Sequence, residues 1–412
     1  MLQSAESKNA KSAPHSISVL VPILASLTAF APLSIDMYLP SFPRIAEEFA
    51  VPDATVELSL ASFFVGLALG QLFYGTATDR FGRKQPLYVG LTIYFAASFV
   101  CAFAMSVEIL IAARFFQALG ACGGIVIARA MVRDLFDHQE SARVFSLLML
   151  VMGVAPILAP LIGGYVALFL GWRAIFFIVA AVSLAVLAAV IFVLPETKAP
   201  NREVTVRNTF QNYWRIFKDR EFLGFTLTGG FAQAGMFAYI TGSPFVFIGI
   251  FGVPAENFGW IFGANALGLI AFSQLNGRLL KTRKPNDILR KCLMFTAVFC
   301  VALIAAGIFN LGLWGVAIPL FLYIASLGMI FPNSTAGALA RQGAMAGTAS
   351  ALIGSIQYAL AAISSTLVSS LNNGTTLPVT LLIGGCGLLA FLVFTFLIAK
   401  KRGAAQTEFE TV

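Results

Sequence analysis

Twelve apolar runs constrain the fold of this chain more than any other feature of its sequence. Each run is about as long as the roughly 20 residues that a helix needs to cross a bilayer. Strands of a membrane barrel would instead alternate over about ten residues, and these runs are longer and more evenly apolar. The sequence therefore predicts an all-α integral membrane protein with twelve transmembrane helices. The predicted spans are 17–39, 56–78, 86–105, 108–130, 143–168, 173–194, 222–248, 257–277, 288–309, 312–333, 345–370 and 377–399.

Composition excludes an ordinary soluble protein. Hydrophobic residues make up 58% of the 412 residues and charged residues 11%, whereas soluble domains carry about 25% charged residues. A soluble core could not cover so much apolar surface, so lipid must surround the chain. The net charge of +8 comes from basic residues in short loops between the runs. That placement indicates membrane topology rather than nucleic-acid binding.

The basic residues also predict the orientation of the spans. Loops on one side carry almost all of the Lys and Arg, including Arg129 and Arg133, and the other side carries only Arg44 and Arg173. Loops rich in Lys and Arg stay in the cytoplasm. Because an even number of spans puts both termini on the same side, we expect both termini to be cytoplasmic.

The longest polar stretch lies midway along the chain and separates six spans from six. The loop after span 8, from Asn276 to Lys284, also repeats the basic character of the loop after span 2. Two halves related by an internal repeat are a common build among secondary transporters. We therefore predict an N-terminal tail at 1–16, a first six-helix half at 17–194, a central loop at 195–221, a second half at 222–399 and a C-terminal tail at 400–412.

A dense charged loop is predicted between spans 2 and 3, with the sequence Gly75-Thr-Ala-Thr-Asp79-Arg80-Phe-Gly82-Arg83-Lys84. Its glycines permit a tight turn and close backbone approach. Asp79 can pair with an arginine and can cap a helix N-terminus. We predict a cytoplasmic gating latch between the two halves. The alternative is a basic anchor with helix caps. The predicted gating residues are Gly75, Asp79, Arg80, Gly82, Arg83 and Lys84.

Two ionisable residues stand out inside the apolar runs, Asp36 in span 1 and Arg114 in span 4. A charge at membrane depth costs at least about 2.5–3.5 kcal/mol, so both should face the bundle interior or a wet cavity. Asp36 is predicted to be the only acid well inside a run, which makes it the leading candidate for carrying protons. The alternatives are a position near the outer end of span 1 for Asp36 and snorkelling to the interface for Arg114. An Asp36–Arg114 pair is a hypothesis, because sequence does not give their separation.

Span 5 contains two prolines and three glycines, in Gly153-Val-Ala-Pro156-Ile-Leu-Ala-Pro160-Leu-Ile-Gly163-Gly164. These residues should bend the helix and allow tight packing. Simple helix packing is the alternative to a special functional role, since membrane helices use glycine and proline freely.

A substrate pocket is expected near the midplane between the two halves. Polar or aromatic residues within the spans are the candidates to line it, although a helix–helix hydrogen bond is the alternative for each. The candidates are Tyr38, Gln71, Gln117, Gln233, Tyr239, Asn265, Tyr323, Asn333, Gln357 and Tyr358.

The charged loop resembles the G-x-x-x-D-R-x-G-R-K motif that lies between helices 2 and 3 of the major facilitator superfamily. The run from Arg114 to Gly120 resembles the superfamily's helix 4 motif, R-x-x-Q-G-x-G, which is associated with proton transfer, with Ala118 replacing the first glycine. Span 5 resembles the antiporter motif G-x-x-x-G-P-x-x-G-G, with Ala155 and Ala159 in place of glycines.

A narrower resemblance is to the bicyclomycin-resistance (Bcr/CflA) branch of drug:proton antiporters. It is carried by residues 33–40, by the two Ala-Pro pairs of span 5 and by residues 346–352. The resemblance implies a monomeric antiporter of the bacterial inner membrane that exports small antibiotics of the bicyclomycin, chloramphenicol or sulfonamide type. The proton gradient would drive it, without a cofactor or a nucleic-acid partner. Export of amino acids or short peptides such as cysteine is the alternative on the same fold.

Other classes of membrane protein fit the sequence less well. An enzyme would need a nucleophile–base pair or metal ligands in the spans. A channel would need a ring of like charges or a filter loop, and none is apparent. No G-x-x-x-x-G-K-[ST] phosphate loop points to ATP as the energy source.

Overall fold

The computed structural model describes residues 17–201 and 206–399, and these residues are almost entirely helical. The predicted tails, 1–16 and 400–412, lie outside the described residues. The α-helices of the described ranges are α1 Ile17–Asp36, α2 Phe42–Phe49, α3 Asp53–Phe81, α4 Lys84–Ala102, α5 Val107–Leu135, α6 His138–Leu170, α7 Trp172–Phe192, α8 Val206–Phe217, α9 Arg220–Ser243, α10 Ala255–Leu279, α11 Pro285–Ile308, α12 Gly312–Leu339, α13 Ala346–Ser370 and α14 Leu377–Val393. Short 3₁₀ segments occupy Leu39–Ser41 and Gly343–Met345, and π-helical turns occupy Pro244–Ile250 and Phe394–Ala399.

Twelve helical segments among the described residues are long and apolar enough to cross a membrane, and they match the twelve predicted spans one for one. The first, Val19–Phe49, runs through α1 and α2, and the others are built on α3 to α7 and α9 to α14. Large apolar side chains such as Phe192 and Phe169 lie exposed on the outside of the bundle. The chain is therefore a multi-pass membrane protein, as the composition predicts.

Helix α1 ends at Asp36 for a local reason. Pro40 lies four residues further on, where it has no N–H to donate to the Asp36 carbonyl, and its ring would clash with that carbonyl. The chain continues through the turn Leu39–Ser41 into α2. Asp36 thus sits at a break near the middle of the 31-residue span Val19–Phe49. Broken helices commonly form ion and substrate sites in transporters.

The two halves meet along two helix pairs, α3 against α13 and α6 against α10. Small residues let these backbones approach closely. At Gly259 of α10 an added Cβ would overlap the Leu161 side chain of α6. At Gly163 of α6 an added Cβ would overlap the Met37 carbonyl, just after the break in the first span.

Helix α8 lies within the predicted central loop, and its regular structure was not foreseen. The Tyr213 hydroxyl donates a hydrogen bond of 3.2 Å to the Leu72 carbonyl of α3. Phe210 and Trp214 on the same helix are exposed. A polar helix with one aromatic face is typical of segments that lie in the membrane interface. We call the end of the bundle that carries α8 and the α3–α4 turn the basic end, and the end that carries α2 the opposite end.

Several predicted loop boundaries are wrong, because the helices project beyond the apolar runs. Arg129 and Arg133 lie inside α5, which continues to Leu135. The repeat predicted in the loop after span 8 begins inside α10, where Asn276 is buried. Hydrophobicity marks where lipid ends, whereas a helix continues as long as its own hydrogen bonds and neighbours support it.

Candidate functional site

Asp36 ends α1 of the first half, and the turn Leu39–Ser41 that follows it contacts α10 of the second half. The residue is 4% exposed and interacts electrostatically with Tyr239 of α9. Asn265 of α10 donates a hydrogen bond of 2.9 Å to the Tyr239 hydroxyl. The Tyr239 ring stacks on Phe262, with 5.4 Å between the ring centroids. We call Asp36, Tyr239, Phe262 and Asn265 the central cluster.

The central cluster lies at mid-membrane depth. Tyr239 falls in the middle part of the span Arg220–Ile250, and Asn265 falls in the middle part of Ala255–Leu279. Asp36 forms no ion pair within the described residues. An unpaired carboxylate is costly to bury, and binding a proton removes that cost. The arrangement can therefore link proton binding at Asp36 to the contact between the halves.

Arg114 is fully buried inside the first half rather than at the membrane surface. Its guanidinium lies over the rings of Phe63 at 4.2 Å, Tyr38 at 4.9 Å and Phe176 at 5.9 Å. It donates to Gln117, but its Nε and Nη2 have no hydrogen-bond partner among the described residues. The hypothetical ion pair with Asp36 is not formed. Aromatic faces stabilise the cation in its place.

Two predicted pocket residues belong to this arginine cluster rather than to the boundary between the halves. Gln117 donates a hydrogen bond of 2.8 Å to Ser98 of α4, and the Tyr38 hydroxyl bonds to Ser59 of α3 at 3.1 Å. Both Tyr38 and Gln117 are fully buried. They position Arg114 between α1, α3 and α4.

Other predicted pocket residues do lie between the halves. Gln71 of α3 packs against Gly354 of α13. The ring of Tyr358 lies 5.9 Å from that of Phe237, which in turn lies 4.3 Å from Phe64 of α3. Sequence reasoning missed Phe64 and Phe237, because nothing in the sequence separates two useful rings from the other 37 of 39 phenylalanines.

The remaining pocket candidates belong to the second half. Tyr323 donates a hydrogen bond of 2.7 Å to the Ala232 carbonyl. Asn333 donates one of 2.7 Å to Asn276. These bonds join α12 to α9 and to α10. For these two residues the structure therefore shows the alternative given above, a helix–helix hydrogen bond. Gln233 and Gln357 are half-buried on α9 and α13, the latter beside Gly229.

The predicted gating loop is mostly helix. Residues 75–81 complete α3, and only Gly82, with a φ of 82°, and Arg83 separate α3 from α4. Asp79 accepts a hydrogen bond of 2.7 Å from Lys198 and pairs with Arg83 at 3.4 Å. Arg83 also pairs with Asp134 of α5 at 2.8 Å. The predicted aspartate–arginine pair is thus present.

The cap on α4 comes from a different residue than expected. The Glu196 carboxylate accepts hydrogen bonds from the backbone N–H groups of Arg83 at 2.8 Å and Lys84 at 2.9 Å. Sequence reasoning missed Glu196, Asp134 and Lys198 as partners, because they follow α3 by more than 50 residues. All of these ion pairs lie within or beside the first half. The latch between the halves stays a prediction.

The span 5 motif faces the neighbouring helices. Helix α6 runs on through Pro156 and Pro160. An added Cβ at Gly153 would contact Ile270 of α10, and one at Gly164 would contact Ala255 at the start of α10. This placement shows close packing between the halves, and the antiporter role of the motif stays a prediction.

Asp36 is not the only acid buried in a span, which corrects the sequence prediction. Glu57 of α3 is 1% exposed. It is the second residue of the predicted run 56–78, so its sequence position resembles a span boundary. Its burial depends on α13, a helix almost 300 residues later in the chain.

Comparison with known proteins agrees with the resemblance predicted from the motifs. A family model described as Major Facilitator Superfamily matches residues 24–366. The bicyclomycin resistance protein homolog of Haemophilus influenzae is 35% identical over 385 residues, which cover 93% of this chain and 97% of that protein. Multidrug resistance protein D of Escherichia coli is 28% identical over 346 residues, which cover 82% and 85% of the two chains.

Solved structures share the fold at low sequence identity. The xylose transporter of Escherichia coli, in a partially occluded inward-open conformation, superposes with a TM-score of 0.71 at 12% identity, covering 92% of this chain and 97% of that one. A bacterial homolog of the human lysosomal transporter Spinster, in an inward-facing and unoccupied conformation, gives a TM-score of 0.64 at 16% identity over 93% and 96%.

Proposed function

Because this chain belongs to the Major Facilitator Superfamily, we propose that it is a proton-coupled multidrug efflux antiporter that works by alternating access. The chain is a membrane transporter rather than an enzyme. We assign the basic end to the cytoplasm, since Arg80, Arg83 and Lys84 lie there and loops rich in Lys and Arg stay in the cytoplasm. We place the protein in a bacterial inner membrane as a monomer.

The observation that carries the proposal is the position of Asp36. It is buried near the middle of its span, without an ion-pair partner among the described residues, and close to Tyr239 of the other half. A proton taken up from outside neutralises Asp36 and favours one arrangement of the halves. Substrate entering from the cytoplasm competes for the other protonation state. The gradient then shifts the two populations, because each ligand binds one arrangement better.

The surroundings favour small, moderately apolar cargo. Phe64, Phe237 and Tyr358 form an aromatic face where α3, α9 and α13 meet. Apolar and aromatic walls with a few placed polar groups are typical of sites for small molecules. The relatives named for bicyclomycin and multidrug resistance support antibiotics of the bicyclomycin, chloramphenicol or sulfonamide type as substrates.

Export of amino acids or short peptides such as cysteine is the second candidate. Zwitterions need fixed charges of both signs. Asp36 supplies a negative charge at the central cluster, but the nearest deep cation in the first half, Arg114, is enclosed by three rings. This enclosure favours neutral drugs over zwitterions.

The direct test replaces Asp36 by Asn in proteoliposomes with an imposed pH gradient. We expect Asp36→Asn to abolish proton movement on addition of drug and to weaken drug binding to the purified protein, because the amide mimics the protonated acid with which substrate competes. The matched control is Asp287→Asn, which neutralises an exposed acid at the start of α11 and should leave proton movement intact. Unchanged coupling in Asp36→Asn would remove Asp36 from this role.

A further inference from the structure

The first half buries a second carboxyl that the proposed mechanism does not use. Glu57 lies four residues after the start of α3 at Asp53, one helical turn from the opposite end of the bundle. It is 1% exposed, and neither carboxylate oxygen makes a hydrogen bond among the described residues. Unpartnered buried carboxyls are rare, because the charged form is costly without water or a cation.

The helix that covers the Glu57 carboxyl, α13, belongs to the other half. Ser369 of α13 is close enough to interact with the carboxyl, although the geometry falls outside normal hydrogen-bond limits. The Ser369 hydroxyl instead donates to the Ser365 carbonyl at 3.1 Å. Helix α13 contains no charged residue. Glu57 is therefore sealed by the α3–α13 contact, one of the two helix pairs that join the halves.

Among the residues that the structure describes, no cation on the neighbouring helices pairs with Glu57. Asp53, on the same helix, is close enough to repel a charged Glu57. Arg44 of α2 donates instead to the Ala167 carbonyl, and Glu48 of α2 is paired with Arg173. The other charged groups on α2 and on the nearest part of α5 are Glu47, Glu108 and Arg114, and none forms an ion pair with Glu57 in the described structure.

We propose that Glu57 is a proton-sensing gate residue, neutral while the outer ends of α3 and α13 are packed together and ionised when they separate. This inference rests on the proposed alternating-access function and on the assignment of the opposite end to the outside. When the helices part, water reaches a carboxyl only one turn from the helix end, and the proton leaves to the outside. When they close, the carboxylate takes a proton back from the same side.

Glu57 therefore has a different role from Asp36. Asp36 lies at mid-membrane depth, where both sides gain access in turn. Glu57 exchanges its proton with the outside alone, so it adds nothing to the number of protons transported per cycle. Its effect is on the population of outward-open protein, which falls as the external solution becomes more acidic.

The test measures outward opening directly, without a transport assay. Spin labels at Met105 and Asn373, exposed turn residues of the first and second halves at this end, report the distance between the halves. In the protein prepared for labelling, alanine replaces the five native cysteines of the 412-residue chain. Asp36→Asn is present in all samples, so that Asp36 contributes no pH dependence. Distances are recorded from mildly acidic to mildly alkaline pH.

With Glu57 intact, the ratio of long to short distances should rise with pH by up to about tenfold per pH unit, the limit for one linked proton. Adding Glu57→Gln should abolish this dependence and hold the outer end closed, because the amide mimics the neutral acid. Glu57→Asp should retain the dependence, which keeps the test decisive if Glu57→Gln folds poorly. Glu108→Gln, at an exposed acid of the same end, should also retain it.

Two failures would have different meanings. A pH-independent distance with Glu57 intact, or an unchanged dependence in Glu57→Gln, would overturn the role of Glu57. Proton movement that persists in Asp36→Asn vesicles would instead overturn the proposed coupling function, whatever the spin labels show.

Discussion

The two six-helix halves bury different kinds of polar side chain. All charged residues that are buried among the described residues, Asp36, Glu57, Arg83 and Arg114, belong to the first half. The buried polar side chains of α9 to α14 are serine, threonine, asparagine and tyrosine, all neutral near pH 7. Neutral groups that are satisfied by hydrogen bonds do not respond to protons, whereas buried charges do. The comparison supports placing the proposed proton coupling in the first half, with the second half as its pH-independent partner.

Helix α12 shows how the second half joins its helices through neutral hydrogen bonds instead of buried charges. Its Tyr323 bonds to a backbone carbonyl of α9, and its Ser326 accepts a hydrogen bond of 2.9 Å from Thr296 of α11. In the first half, α5 uses a guanidinium and three rings to hold α1, α3 and α7 together. The α12 bonds join three helices and the arginine cluster joins four, and among the described residues only the arginine cluster leaves buried N–H groups unpaired.

The largest expected effect tests that contrast at Arg114. Arg114→Ala should abolish transport and lower the free energy of unfolding by about 2–5 kcal/mol, because it leaves a large cavity among three rings. Drug efflux and thermal unfolding of the purified protein measure the two effects. Arg290→Ala removes an exposed arginine of α11 and should change neither. Normal efflux in Arg114→Ala would show that the buried cation is dispensable.

A smaller effect is expected at the basic end. Asp79→Asn removes the negative charge that holds Lys198 and Arg83 and gives α3 a neutral amide like Asn276 near the end of α10. Transport should slow severalfold, while stability changes by less than about 1 kcal/mol, since the pair is partly exposed. Initial rates of drug efflux and unfolding temperature measure both. A normal rate of efflux in Asp79→Asn would indicate that the motif is only a basic anchor with helix caps.

The smallest effect is expected in the second half. Tyr323→Phe removes one hydrogen bond to the Ala232 carbonyl and should cost about 1 kcal/mol of stability. The rate of efflux and its pH dependence should stay unchanged, because no proton-binding group is touched. A shift in the pH profile would contradict the assignment of proton sensing to the first half alone.

The sequence was sufficient for the fold, because the length and evenness of the apolar runs determine how often the chain crosses the bilayer. It also singled out Asp36, since an acid inside an apolar run is costly wherever its helix lies. It could not show that Asp36 lies close to Tyr239 of the second half. That proximity depends on how α1 and α9 are rotated about their axes. Evenly apolar helices have no periodic pattern from which such a rotation could be predicted.

Residues near span ends were the hardest to interpret. Glu57 begins a predicted run and Glu196 follows another, so both resemble solvent-exposed boundary residues. The structure buries Glu57 against α13 and uses Glu196 to cap α4. Helix α8 was not predicted for a related reason. Its aromatic residues are spaced among polar ones, and its mean hydropathy is too low to indicate a membrane span.

Helix α8 also has a mechanical consequence. It lies in the only covalent connection between the halves and is held to α3 through Tyr213. Between them lies a cavity of about 590 Å³ lined by Phe73, Arg80, Trp214 and Leu352. Rocking of the halves, as proposed above, would change the shape of this space. Each turnover would then rearrange the apolar contacts between α8 and α3, so the connection between the halves would itself set part of the transport barrier.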